Sequence, residues 1–127
     1  MKMPKNYVER LRGFGTIGRS VGLALAGGST ESIIRADEHP PTTSLRRYST
    51  SRDGQTAIRI ELVEGNSNRT AENRRIGAFV VQDLPPRKKG VVSLDVYFEL
   101  SSTGTLYVTA QERSTGQRAQ GTFELGD

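Results

Sequence analysis

The stretch Gly13-Phe14-Gly15-Thr16-Ile17-Gly18 has the spacing G-x-G-x-x-G and is followed by Val21-Gly22-Leu23-Ala24-Leu25-Ala26. Glycines at that spacing let a backbone approach a pyrophosphate at a helix start, and an acidic residue about twenty positions on holds the ribose. Asp37 stands at that distance. The chemistry also needs a buried parallel strand just before the first glycine. Tyr7-Val8-Glu9-Arg10-Leu11-Arg12 occupies that place, and it is short and charged. A dinucleotide-binding fragment using Gly13–Gly18 is therefore a secondary reading.

Other reactive groups are sparse. His39 is the only histidine, and it precedes Pro40-Pro41, as a loop residue would. Serines and threonines abound, but there is no G-x-S-x-G and no second histidine to act as base. The absence of cysteine removes disulfides and thiolate chemistry. Glu61, Asp95 and Glu99 alternate with aliphatic residues and so fall on solvated strand faces. These residues predict no catalytic site and no metal site, and the chain reads as not an enzyme.

The net charge is +4, and its placement decides what it means. Residues 1–19 carry Lys2, Lys5, Arg10, Arg12 and Arg19 against Glu9, whereas the rest of the chain carries 13 basic and 13 acidic residues. The excess belongs to a flexible basic tail over residues 1–19, and the domain over residues 20–127 is neutral. Such a tail adds nonspecific attraction to polyanions but makes no specific nucleic-acid surface. The apolar run Val21–Ala26 is too short for a signal peptide. No stretch approaches the roughly 20 apolar residues of a membrane span. The expectation is a cytoplasmic chain without a membrane partner.

From Ser20 onward the elements that could position a site are short extended runs. Within Ala57–Val63, Ile58, Ile60 and Leu62 alternate with Arg59 and Glu61, so the aliphatics share one strand face. Leu94, Val96, Phe98 and Leu100 repeat the pattern, as do Leu106, Val108 and Ala110, and Phe123 with Leu125 closes the series. Adding Val21–Ala26, Ser32–Arg35, Leu45–Thr50 and Ile76–Val81 gives about eight strands. Asp53-Gly54, Ser101–Gly104 and Ser114–Gly116 supply turn glycines, and the polar segment Asn66–Arg75 reads as an exposed loop with one helical turn. The fold class is all-β, an antiparallel β-sandwich.

From Ser20 to about Leu125 the chain resembles the peptide-binding β-subdomain of the seventy-kilodalton heat-shock family, the DnaK type. The signposts are Val21-Gly22-Leu23 with Gly27-Gly28, Tyr48-Ser49-Thr50 with Asp53-Gly54-Gln55, and Ile58 through Gly65. Ala71 through Phe79, Leu84 through Gly90, and Leu94 through Gly116 follow in the same order. The resemblance implies a groove for extended hydrophobic peptides or unfolded proteins, lined by Leu23, Leu25, Tyr48, Ser49, Ile58, Ile60 and Leu94. Ala26 and Ser51 would arch over the peptide backbone.

Ile58 stands where the family commonly has valine, and both arch residues are small. The neutral domain also departs from the negative surface through which bacterial relatives favour basic flanks. The matching segment corresponds to neither the nucleotide-binding domain nor the helical lid. The expectation is a chaperone-like holdase or substrate adaptor with no cofactor in this chain, ATP entering only through a separate nucleotide-binding domain. A structural or protein-interaction sandwich with a degenerate groove is the alternative. Val8, Leu11, Phe14 and Ile17 lie among basic residues like a client peptide, which makes self-association by tail or loop capture a further expectation.

Overall fold

The computed structural model describes residues 19–25 and 27–125, where the alternating runs become eight strands. These are β1 (Val21–Ala24), β2 (Thr30–Ile34), β3 (Thr42–Ser49), β4 (Ile58–Glu64), β5 (Arg74–Val81), β6 (Ser93–Leu100), β7 (Thr105–Glu112) and β8 (Arg118–Glu124). They form two four-stranded sheets, ordered β2-β1-β4-β5 and β3-β6-β7-β8, with every neighbouring pair antiparallel. The fold is the all-β sandwich that the alternation predicts. The tail apart from Arg19, the Gly13–Gly18 stretch and Ala26 lie outside the described residues.

The period of two builds the core directly. In β6, Leu94, Val96, Phe98 and Leu100 have no exposed surface, and they pair in register with Glu112, Ala110, Val108 and Leu106 of β7. The first sheet contributes Val21, Leu23, Ile58, Ile60 and Leu62 to the same cluster. Each such aliphatic or aromatic side chain contributes about 1.5–3 kcal/mol when fully buried.

Four strands start two or more residues before the alternation marks them. β2 starts at Thr30 rather than Ser32, β3 at Thr42 rather than Leu45, and β5 at Arg74 rather than Ile76. Strand β8 starts at Arg118, although Phe123 and Leu125 alone announce it. All four are sheet-edge strands. There the ladder continues through residues that bury little apolar surface, so no aliphatic repeat signals it. Within the polar segment, Thr70–Glu72 forms a single 3-10 turn, while Arg74 and Arg75 join β5.

At one open side of the sandwich, Phe123 of β8 reaches across to β5. A Cβ on Gly77 would lie 2.7 Å from its Cε1, and one on Gly121 would lie 2.9 Å from its Cε2. Only residues without a Cβ admit the ring there. Phe79 completes the seal, its ring centroid 6.3 Å from that of Phe123.

Candidate functional site

The β1–β2 loop turns on two glycines. Gly27 and Gly28 have φ of 92° and 93°, values that side-chain-bearing residues rarely adopt. The turn closes with Leu25 N–H donating to Ser29 O at 2.8 Å and Gly28 N–H donating to Leu25 O at 3.2 Å. An outer segment between β4 and β5 holds it in place. Thr30 N–H donates to Asn68 O, Thr70 N–H to Gly28 O, and the Thr70 hydroxyl to Ser29 O, all at 2.8–2.9 Å.

The β3–β4 loop, residues 50–57, has a matching arrangement. The Gln55 side chain staples it internally, its Oε1 accepting from Ser51 N at 2.8 Å and Arg52 N at 3.3 Å while its Nε2 donates to Ala57 O at 2.7 Å. The segment between β5 and β6 then buttresses the loop from outside. Gly54 N–H donates to Arg87 O at 2.8 Å, Lys89 N–H to Asp53 Oδ1 at 2.9 Å, and Gly90 N–H to Thr50 O at 2.9 Å. Both loops are thus fixed by backbone hydrogen bonds, each worth about 0.5–1.5 kcal/mol net.

Beneath the loops the strands bring together five of the named apolar positions. Leu23, Ile58, Ile60 and Leu94 belong to the buried cluster, and Tyr48 packs against it. Leu23 faces Leu62 across β1 and β4, and Tyr48 faces Leu94 across β3 and β6. Leu25, one step past β1 and two residues from Leu23, remains 40 % exposed. Ile60 and Leu94, at 1 % and 0 % exposure, form floor rather than reachable wall.

Ser49 and Ser51 sit differently. Ser49 alternates with Tyr48 and is exposed on the opposite face of β3. Ser51 is exposed in the β3–β4 loop. Ala26, its expected partner in the arch, lies outside the described residues.

Polar residues that carry no apolar signal complete the surroundings. Glu31 of β2 accepts from the Tyr48 hydroxyl at 3.1 Å and from Arg46 Nε at 3.3 Å, and Arg46 Nη2 donates to Ser32 O at 3.3 Å. The ionisation of Tyr48 is pushed above the ordinary tyrosine value by burial first, then by the charge and hydrogen bond of Glu31. Nothing in the sequence marks Glu31, while Asp53 reads as a turn residue and Gln55 only as the end of a family signpost. Their partners lie far along the chain or depend on the loop conformation. A separate cavity of about 110 Å³ lies between β1, β2 and the residues after β4, lined by Gly22, Thr30, Ser32 and Gly65–Asn68 among others. None of its lining residues is charged.

The described residues form an eight-stranded antiparallel sandwich of two sheets. The chain belongs to the Hsp70 family: residues 13–126 match the family model described as Hsp70 protein, a segment that includes Gly13–Gly18. It is 38 % identical over 101 residues to the chaperone protein HscA homolog of Neisseria meningitidis serogroup B, covering 80 % of this chain and 16 % of that protein. It is 32 % identical over 105 residues to the chaperone protein DnaK of Cenarchaeum symbiosum, covering 83 % of this chain and 16 % of that protein. The stromal 70 kDa heat shock-related protein, chloroplastic, of Spinacia oleracea is 33 % identical over 99 residues, with 78 % of this chain and 16 % of that protein covered. The chain thus spans about one sixth of the length of these relatives. Among the described residues no helix is long and apolar enough to cross a membrane.

Proposed function

We propose that the site framed by the β1–β2 and β3–β4 loops binds extended apolar peptide segments of unfolded proteins, acting as a holdase or substrate adaptor. The observation that carries this reading is the exposed Leu25, two residues past the buried Leu23, with Ile58 buried and Tyr48 half-buried in the same sandwich and two loops each buttressed from outside. Leu23, Leu25, Tyr48, Ile58, Ile60 and Leu94 make the pocket. Ser49 adds the end of the β3 backbone, and Ser51 contributes the β3–β4 side of the arch. A leucine-like side chain entering the pocket contributes about 1.5–3 kcal/mol. Several net-favourable backbone hydrogen bonds then reach the roughly 8 kcal/mol of micromolar binding.

Titration of a fluorescein-labelled, leucine-centred peptide by anisotropy tests the reading. Saturable micromolar binding is expected, weakened at least several-fold by Leu25→Ser, which alters only an exposed side chain. Ile58→Phe fills the pocket and weakens binding further. Absence of saturable binding, or binding indifferent to both substitutions, favours a protein-interaction sandwich whose groove is not used.

A further inference from the structure

We infer that the groove is selective for apolar segments flanked by acidic residues, an inference that rests on the peptide-binding reading above and concerns the charge at its mouth. The β3–β4 loop bears Arg52, and the segment buttressing it bears Arg87, Lys88 and Lys89. All four residues are exposed. The cationic segment is held against the loop, since Gly54 N–H donates to Arg87 O at 2.8 Å and Lys89 N–H donates to Asp53 Oδ1 at 2.9 Å. A run that reads as interspersed charge in the sequence is thereby held against the loop that carries Ser51.

Compensating acids are few. The two segments carry Asp53 and Asp83 against the four cations, and Asp53 already spends one oxygen on a backbone amide. None of Arg52, Arg87, Lys88 and Lys89 makes an ion pair with another described residue. Across the site the β1–β2 loop is uncharged over its described residues, and charges behind it are matched. Arg69 pairs with Glu72 at 3.4 Å, and Arg46 pairs with Glu31 at 3.3 Å. On the adjoining outer face Arg47 and Arg113 share the single carboxylate of Asp95, at 3.1 and 3.6 Å. The mouth therefore has a cationic side and no anionic one.

An extended peptide advances about 3.3 Å per residue, so residues two to four positions from the central side chain emerge roughly 7–13 Å away. That reach matches long lysine and arginine side chains on a flanking loop. Glutamate or aspartate there gains from the field, and lysine or arginine loses. Because the cations are exposed, the preference is modest and fades once the screening length falls to about 3 Å near 1 M salt.

The test uses labelled peptides that share one leucine-centred core and carry pairs of glutamate, serine or lysine at both ends. At low salt the affinity order is glutamate, then serine, then lysine, with about three- to tenfold between the extremes. The order collapses near 1 M salt and in the combined variant Arg87→Ser, Lys88→Ser, Lys89→Ser. Equal affinities, or tighter binding of the lysine peptide, overturn the charge inference and leave the groove standing. A core-less glutamate peptide that binds as tightly as the cored one also overturns it, because the cluster is then a nonspecific anion patch. Failure of all three cored peptides overturns the groove reading itself and this inference with it.

Discussion

The Tyr48 hydroxyl donates to Glu31 Oε1 across 3.1 Å, joining an edge strand of one sheet to an edge strand of the other. Beside it, Arg46 Nε reaches Glu31 Oε2 at 3.3 Å. One carboxylate thus closes the β2–β3 side of the sandwich, where no backbone ladder runs between the strands. The opposite side is closed by an aromatic ring instead. Tyr48→Phe removes one hydrogen bond and should cost about 0.5–1.5 kcal/mol in urea denaturation.

The same contact has a spectroscopic signature. Burial and the Glu31 carboxylate favour the neutral phenol, so Tyr48 ionises later in the folded protein than in the unfolded chain. Its stabilising contribution is fully present below the ordinary tyrosine value of 10.0 and is lost as pH rises through the higher folded value. Titration by absorbance at alkaline pH should show one tyrosine that ionises only with unfolding, and Tyr48→Phe should abolish that fraction.

Glu112 makes the opposite pH prediction. It is 1 % exposed, covered by the turn that follows β7. Burial opposes its charge, but four donors outweigh it: Thr115 and Ser114 each contribute a hydroxyl and a backbone N–H, at 2.6–3.1 Å. The carboxyl is lowered from 4.5 to about 2. Its contribution is complete above pH 4.5 and is lost as pH falls toward 2. Glu112→Gln should cost about 1–3 kcal/mol near neutral pH by leaving amide donors poorly matched. It should also flatten the acid dependence of the urea midpoint over that window.

Steric closure at the β5–β8 side yields a further expectation. Gly77→Ala places a methyl within 2.7 Å of Phe123 Cε1, so the ring or strand must shift. A loss of about 1–3 kcal/mol is expected, as for other overpacked sites. Phe123→Leu in the same chain removes the clash. The double variant should therefore be less destabilised than the two single losses added together, which a double-mutant cycle in urea measures directly.

How much of this was legible before the fold depended on where a residue sits in it. Leu94–Leu100 announced β6 because both neighbours and the facing sheet bury its alternate side chains. Arg118-Ala119-Gln120-Gly121 announced nothing, although it pairs with β7 in full register. Its ladder is backbone chemistry, and Gly121 makes room for the Phe123 ring of the same strand. The apolar positions Leu23, Ile58 and Leu94 were likewise legible by pattern and resemblance. Glu31, Asp53 and Gln55 were not, because a polar residue in a turn or on an edge looks the same whether or not it has a partner. Charge shows the same limit: Arg87-Lys88-Lys89 belongs to a neutral domain by composition, and only Gly54 and Asp53 show which loop it stands beside.

Gln55 offers the sharpest separation of loop order from fold stability. Its Oε1 accepts from two successive amides, and its Nε2 donates to Ala57 O just before β4, so one side chain spans the loop. Gln55→Ala leaves the exposed Ser51 and Arg52 amides to water, at little cost to the sandwich. Loss of the staple frees the loop to open, and a bound peptide escapes more often. On the groove reading, stopped-flow displacement should show dissociation about three- to tenfold faster, with association changed less, because interface changes act mostly on release. The urea midpoint should stay near that of the parent protein. A large fall in the midpoint would instead make Gln55 part of the fold. Unchanged release with an unchanged midpoint would place the bound peptide away from this loop.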